Sequence, residues 1–307
     1  MRWSVSSSQV FKQCPRKWFF SNVVYSNSPK DHLQQQVKLL KGLQTIYTWR
    51  GKLVDDVITE YVIPRLNKKE ILYEQNILEY GLQRARNELG LALDKTNAKE
   101  TREDEIVSLF ELEYGKEVNE DLIRNTFSEI ETSLRNFVKS KFVEEFLKHG
   151  KRIIAQRPIQ YNNGSVLIYC KPDAIVLYKE RNALIADWKV KIQSHLDHRK
   201  QLAVYAYAIS KAKPHNDLLD VWQTQLSDPT NIDLLEFQLL HGRERFYNFS
   251  KSDLVEIEDF IYLSCNDMFQ LLNDRKYPGI QPSQIPTTLQ PSNCQRCQFK
   301  RVCWEES

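Results

Sequence analysis

SVLIYCKPDAIVLYKERNALIADWKV, residues 165–190, is the stretch whose reading decides the fold. Two apolar runs of strand length flank the turn-like KERN, and charged residues stand inside both runs: Asp173 in the first, Asp187 and Lys189 in the second. The run before it, RIIAQRPIQY (152–161), reaches it through Asn163-Gly164, a hairpin dipeptide that accepts positive φ at both positions. The three runs predict an antiparallel meander. Downstream, SHLDHRKQLAVYAYAISKA (194–212) reads as a helix and LLDVWQTQL (218–226) and LLEFQLL (234–240) as strands. A further helix over 252–272 precedes a proline-rich tail, 278–293, that cannot be regular structure. Upstream, apolar residues recurring at threes and fours over 33–66 predict an amphipathic helix broken at Gly51, after a short helix capped by Ser7 or Ser8. Residues 67–150 are polar with helical periodicity and read as an all-helical insert with an acidic, loop-like centre at 100–120. The expected class is α/β in a single domain, 1–307, with its sheet and helix at 151–240 and a cysteine-bearing tail at 280–307.

The chain has 307 residues, 43 Lys+Arg against 40 Asp+Glu and a net charge of +3, which is mildly basic and far from histone-like. With 41% hydrophobic and 27% charged residues it has the composition of an ordinary globular protein. Apolar runs such as 203–209 fall far short of the roughly 20 residues that span a bilayer, which argues against a membrane protein. No apolar signal region follows the first residues, so a reducing cytoplasm is expected and disulfides are not. Six cysteines then need another role. Cys170 and Cys265 sit in apolar surroundings that suit a buried thiol. Cys14, in a Cys-Pro dipeptide, and the C-x2-C-x5-C of Cys294, Cys297 and Cys303 do not.

Strand alternation puts Asp187 and Lys189 on one face. Burying ions on a sheet face is costly unless they are compensated. Two carboxylates meeting across a hairpin, with an ammonium beside them, suit a hard divalent cation and a phosphate transition state. A turn-capping Asp173 and an edge ion pair would leave the same residues. Gln201 and Tyr205 are four apart and share a helix face, able to hold phosphates or orient water, or simply to form a polar flank and a core tyrosine. Cations and aromatics alternate in PRKWFF (15–20), TWRGK (48–52), HGRERFY (241–247) and CQFKRVCW (297–304), a pattern of nucleic-acid contacts or of ordinary snorkelling faces. His195 and His198 flank the start of the 194–212 helix, where a helix N-terminus attracts phosphate.

A helix, a meander carrying KPDAIVLY and IADWKV, and a helix carrying QLAVYAY together resemble the PD-(D/E)XK nuclease superfamily in its RecB-like branch. The resemblance implies a restriction-endonuclease-like core and hydrolysis of DNA phosphodiesters with Mg²⁺ or Mn²⁺. Asp173 then matches the motif aspartate, Asp187 and Lys189 the D/E-x-K pair, and Gln201 with Tyr205 the Q-x-x-x-Y motif. The Trp188 carbonyl completes the metal shell in that scheme. Two positions depart from it: Asp55 stands where the branch has a metal-binding histidine, and Gln156 is the nearest counterpart of a first-strand glutamate. The four cysteines resemble the iron–sulfur staple of AddB-type nucleases and of the CRISPR-associated RecB-like exonucleases, which implies a 4Fe-4S cluster joining Cys14 to Cys294, Cys297 and Cys303. Four thiolates suit zinc equally by spacing. The expected substrate is a DNA end or single strand, with a helicase or a defence or repair protein as partner. A catalytically impaired iron–sulfur DNA-binding module and a zinc-stapled interaction protein are the alternatives.

Overall fold

The computed structural model describes residues 1–94, 107–190 and 198–304. His195 and the 100–106 part of the acidic centre lie outside them. The chain divides into two compact units, one of residues 1–43, 162–168 and 258–307, the other of residues 44–161 and 169–257.

The terminal unit opens with β1 (Arg2–Trp3), α1 (Val5–Gln13) and α2 (Pro15–Phe19), followed by α3 (His32–Lys41). Ser4, not Ser7 or Ser8, caps α1: its hydroxyl accepts from the Ser7 N–H, and Ser7 Oγ accepts from the Ser4 N–H. Cys14 is extended (φ −161°), ends α1 and caps α2, while Pro15 opens α2 where a missing N–H costs nothing. The Cys-Pro dipeptide is thus the corner between two helices. Trp3, Trp18, Phe19, Phe20, Phe299 and Val302 are buried in this unit. The Trp3 indole donates to Ser264 Oγ at 2.9 Å, which in turn bonds Ser8 Oγ at 2.7 Å.

In the larger unit α4 (Ile46–Val57) is capped by Thr45 and runs on through a π-helical turn, 58–62, into α5 (Ile63–Asn67). The break expected at Gly51 falls instead at 42–45, because Gly51 faces open space inside α4 and Thr45 supplies the cap. α6 (Glu74–Leu93), α7 (Phe110–Glu113) and α8 (Glu120–Val138) follow. α6 and α8 pack against each other and against α4. Gly81 permits the approach, since a Cβ there would lie 2.5 Å from Leu134 Cδ1. Ile77, Ala85, Ile130, Leu134 and Phe137 belong to the same buried cluster as Val176, Leu184 and Ala186 of the sheet, so α6 and α8 share the sheet's core.

That sheet has the order β2 (Arg152–Ala155), β5 (Ala174–Leu177), β6 (Leu184–Lys189), β7 (Asp233–Gln238), β8 (Arg243–Tyr247). β2 and β5 pair antiparallel (Ile154↔Ile175), as do β5 and β6 (Ala174↔Ala186). β6 runs parallel to β7 in the register Asp187↔Glu236 and Lys189↔Gln238, and β8 returns antiparallel. The meander is therefore β2-β5-β6. The runs 152–161 and 165–178 each break in two, at Gln156 (φ 50°) and at Pro172-Asp173, releasing the hairpin β3 (Ile159–Asn163) and β4 (Val166–Cys170) into a second sheet of order β1-β4-β3. At the hairpin tip Gly164 alone takes positive φ, 60°. α9 (Arg199–Lys211) packs on β6 and β7. The strand expected at 218–226 is helical, ending in α10 (Leu219–Val221) and a π-helical turn at 222–226, because its buried Leu218, Val221, Trp222 and Leu226 recur with the helical period. α11 (Lys251–Leu272), α12 (Pro291–Gln295) and α13 (Lys300–Trp304) complete the chain. None of the helices among the described residues is long and apolar enough to cross a membrane.

Candidate active site

Strand β6 carries Asp187 with its side chain 1% exposed. Such a carboxylate needs a compensating charge, and Lys189 Nζ supplies it 2.6 Å from Oδ2. Among the described residues Oδ2 has no other partner. Gln201 Nε2 donates to Oδ1 at 3.3 Å and also to the Tyr205 hydroxyl. Gln201 and Tyr205 thus share a face of α9 that meets Asp187. Burial alone would lower the Lys189 pKa, but Asp187 and Asp173 outweigh it and raise it, so the ammonium stays charged. Burial, and then the Asp187 charge, push the Tyr205 phenol well above its ordinary value, so it remains a hydroxyl.

Asp173 enters at the start of β5. Its Oδ2 accepts the Trp188 backbone N–H at 2.8 Å and its Oδ1 the Gln156 amide at 2.9 Å. Burial first, then Asp187 and Asp55, raise its pKa well above the carboxylate range. Asp55, on α4, accepts the Trp188 indole N–H at 2.8 Å, and burial raises its pKa too. Gln156 Nε2 lies 3.0 Å from each Asp55 oxygen, so one amide nitrogen bridges the two carboxylates. The Gln156 backbone is left-handed, a conformation costly for a residue with a Cβ, and its N–H donates to the Asp173 carbonyl at 3.1 Å. The Trp188 ring packs edge-on to Phe137, with centroids 5.7 Å apart.

The structure thus brings Asp55, Asp173, Asp187, Lys189, Gln201 and Tyr205 together, with Trp188 and Gln156 tying them. Glu236 went unread in the sequence: it is 0% exposed on β7, register-matched to Asp187, with Tyr247 Oη donating at 2.8 Å and Gln238 Nε2 at 3.0 Å. His198 Nε2 stands 3.9 Å from it. A charge within the apolar LLEFQLL was the signal, the same one that marked Asp187.

Oxygen donors of this kind fit a hard divalent cation. In the terminal unit, Cys14, Cys294, Cys297 and Cys303 line one cavity of about 110 Å³. The Lys17 N–H donates to Cys14 Sγ at 3.4 Å and Arg16 Nη1 to Cys303 Sγ at 3.7 Å. Burial pushes the Cys297 and Cys303 thiols up. A four-thiol donor set fits a soft metal or a cluster. Among the described residues, no group of three His, Cys, Asp or Glu side chains stands close enough together to hold a metal ion. Burial raises Cys170 to about 12 and Cys265 to about 11, as inert thiols should be.

The cation–aromatic stretches are mostly structural. Arg50 is buried in an ion pair with Glu129, Arg16 donates to the Ile285 carbonyl, and Trp18, Phe19, Phe20, Trp49 and Phe299 are core residues.

The sequence matches the PD-(D/E)XK nuclease superfamily over residues 2–304, and the chain belongs to that superfamily. No curated protein matches it significantly. Among solved structures, an exonuclease candidate from Eubacterium rectale is similar at 12% identity and TM-score 0.40, covering 100% of this chain and 94% of its own. The protein SSO0001 is similar at 16% identity and TM-score 0.28, covering 64% of this chain and 79% of its own. Nucleases of the superfamily generally use Mg²⁺ or Mn²⁺.

Proposed function

We propose that the protein is a metal-dependent deoxyribonuclease acting on DNA ends or single strands. The observation that carries this reading is the convergence of Asp173, the Asp187–Lys189 ion pair and the Gln201–Tyr205 pair on one edge of β5 and β6. Asp55, Asp173, Asp187 and the Trp188 carbonyl would hold a divalent cation, which when bound polarises the scissile phosphate and acidifies the attacking water. Lys189, kept charged, faces the negative charge that builds on phosphorus. Tyr205, kept protonated, donates to a phosphate oxygen and does not act as a base. Gln201 fixes the orientation of both Asp187 and Tyr205. For the cation to enter, the Gln156 carboxamide turns its oxygen where its nitrogen now bridges Asp55 and Asp173, since one end of the group donates and the other accepts.

The four thiols sharing one cavity support a 4Fe-4S cluster there, as in the RecB-like and AddB-like branch, with a structural task. In that branch the setting would be DNA repair, defence or CRISPR-type processing in the cytoplasm, with a helicase or a defence or repair protein as partner. A second reading, a DNA-binding module that no longer cuts, is favoured by the Gln156 amide lodged between Asp55 and Asp173. End-labelled single- and double-stranded DNA incubated with the protein in Mg²⁺, Mn²⁺ or EDTA separates the two. Cleavage in either metal and none in EDTA supports the nuclease. Binding without cleavage in any metal supports the module.

A further inference from the structure

The terminal unit contains a second and larger hollow, about 580 Å³, within the size range of small-molecule sites. Its walls combine two chemistries. Arg2, Lys41, Arg275 and Lys276 stand around it, and of the described residues that line it Asp274 alone is acidic. Tyr25, Phe269 and Tyr277 supply aromatic surface. Lys41 Nζ is fixed at its place on the wall, 2.8 Å from the Ser21 carbonyl and 3.4 Å from the centroid of the Tyr25 ring. Burial, and then the nearby Arg2 guanidinium, lower the Lys41 pKa, and both cationic side chains stand beside the same space. The Trp18 side chain is 0% exposed behind this wall, and its buried indole Nε1 meets no acceptor among the described residues. An orphaned buried donor of this kind costs free energy unless a ligand or water meets it.

We propose that this cavity binds a phosphorylated nucleoside, its phosphate against Lys41, Arg2 and Arg275 and its base against the aromatic wall. Cations alone would suit any phosphate. The aromatic surface adds the stacking that a base requires, and cation plus ring is the combination that single-stranded nucleic acids use. The choice of a nucleoside among phosphorylated aromatic compounds rests on the nuclease reading. Two sources share the chemistry: a free mononucleotide, such as a cleavage product, and the phosphorylated end of a strand.

Calorimetric titration of the full chain in EDTA, where metal-dependent cleavage is silent, tests this with dAMP, 5′-phosphorylated and 5′-hydroxyl oligothymidylate, and inorganic phosphate. Binding of dAMP, or of the phosphorylated strand in preference to the hydroxyl strand, is expected, and which of them binds names the source. Lys41→Glu and Arg275→Glu should each weaken it at least tenfold, while Asp187→Asn leaves it unchanged. Both substituted side chains are exposed, and Lys41→Gln and Arg275→Gln repeat the measurement should a reversed charge lower the thermal midpoint. The proposal is overturned if neither nucleotide ligand binds, if all four variants bind like the parent, or if inorganic phosphate competes as well as dAMP does. A protein that binds dAMP at this cavity yet cuts no DNA would contradict the nuclease reading and leave this one standing.

Discussion

The carboxylate centre on the sheet and the thiol cavity of the terminal unit answer burial in opposite ways. At the sheet, each of the three carboxyl groups has a partner supplied by the chain: Lys189 for Asp187, the Trp188 N–H groups and the Gln156 amide for Asp173 and Asp55. That network fixes its own geometry. In the thiol cavity, burial keeps Cys297 and Cys303 protonated, while Arg16 and the Lys17 and Phe299 N–H groups reach sulfur. A hydrogen-bonded constellation is ordered before any ligand arrives, whereas thiols at the rim of a hollow are ordered by what fills it. Loss of a residue should therefore harm chemistry at the first centre and stability at the second.

The largest effect expected is on Lys189→Ala, which removes the charge facing the reacting phosphate. DNA cleavage should fall by about 10²–10³-fold, with the circular dichroism spectrum unchanged. Parental turnover would mean that the pair is an edge ion pair and nothing more.

Cys14→Ala comes next. A cluster joining it to Cys294, Cys297 and Cys303 closes a loop of nearly the whole chain, so losing one thiolate frees both ends. Anaerobically prepared protein should be brown, with iron and sulfide in similar amounts, and the variant should be bleached and melt several degrees lower. Cys170→Ala and Cys265→Ala should keep the colour. Colourless protein loaded with zinc would replace the cluster by a single ion.

Metal titrations of cleavage probe the two departures at the sheet. Gln156→Glu adds a carboxylate where the amide bridges Asp55 and Asp173 and should lower the Mg²⁺ concentration for half activation several-fold. Asp55→Ala should raise it about tenfold, and Asp55→His should shift preference toward Mn²⁺, which suits imidazole better. Superimposable curves for all four proteins would remove Asp55 and Gln156 from the metal's surroundings.

The smallest effect lies away from both centres. Asp217 joins Arg152 and Arg157 at 2.5 and 2.9 Å, and the hydrogen bonds from Arg157 and Arg152 depress its pKa to about 2. A depressed carboxylate stabilises the fold above its unfolded value near 3.9, and the contribution fades as pH falls toward about 2. Asp217 is exposed, so salt screens the pairs. Asp217→Asn should lower the thermal midpoint by about a degree at pH 7 and by far less at pH 2. An equal drop at both values would show that charge is not involved.

How much of this could be read in the sequence follows from the range of each interaction. Asp187 and Lys189 were legible because strand alternation alone puts them on one face, and their ion pair is local to β6. Gln201 and Tyr205 were legible for the same reason on a helix. Glu236 carried an equal signal and passed as an ordinary strand residue, since its significance comes from a parallel partner, β6, far away in sequence. The bridging by Gln156 depends on a left-handed backbone that no non-glycine residue announces. Arg50 shows the reverse error: its neighbours suggest phosphate, but Glu129, remote in sequence, buries it. Residues 218–226 misled because a short apolar run fits either period until its partners are known.

The division of labour between the two centres can be tested in one experiment. Cleavage of an end-labelled DNA strand in Mg²⁺ is followed for the parent, Asp187→Asn and Cys14→Ala side by side, well below the melting temperature of the least stable. The account predicts that Asp187→Asn is inactive while still folded and that Cys14→Ala cuts at close to the parental rate. Parental cleavage by Asp187→Asn, or loss of cleavage by a folded Cys14→Ala protein, would contradict it.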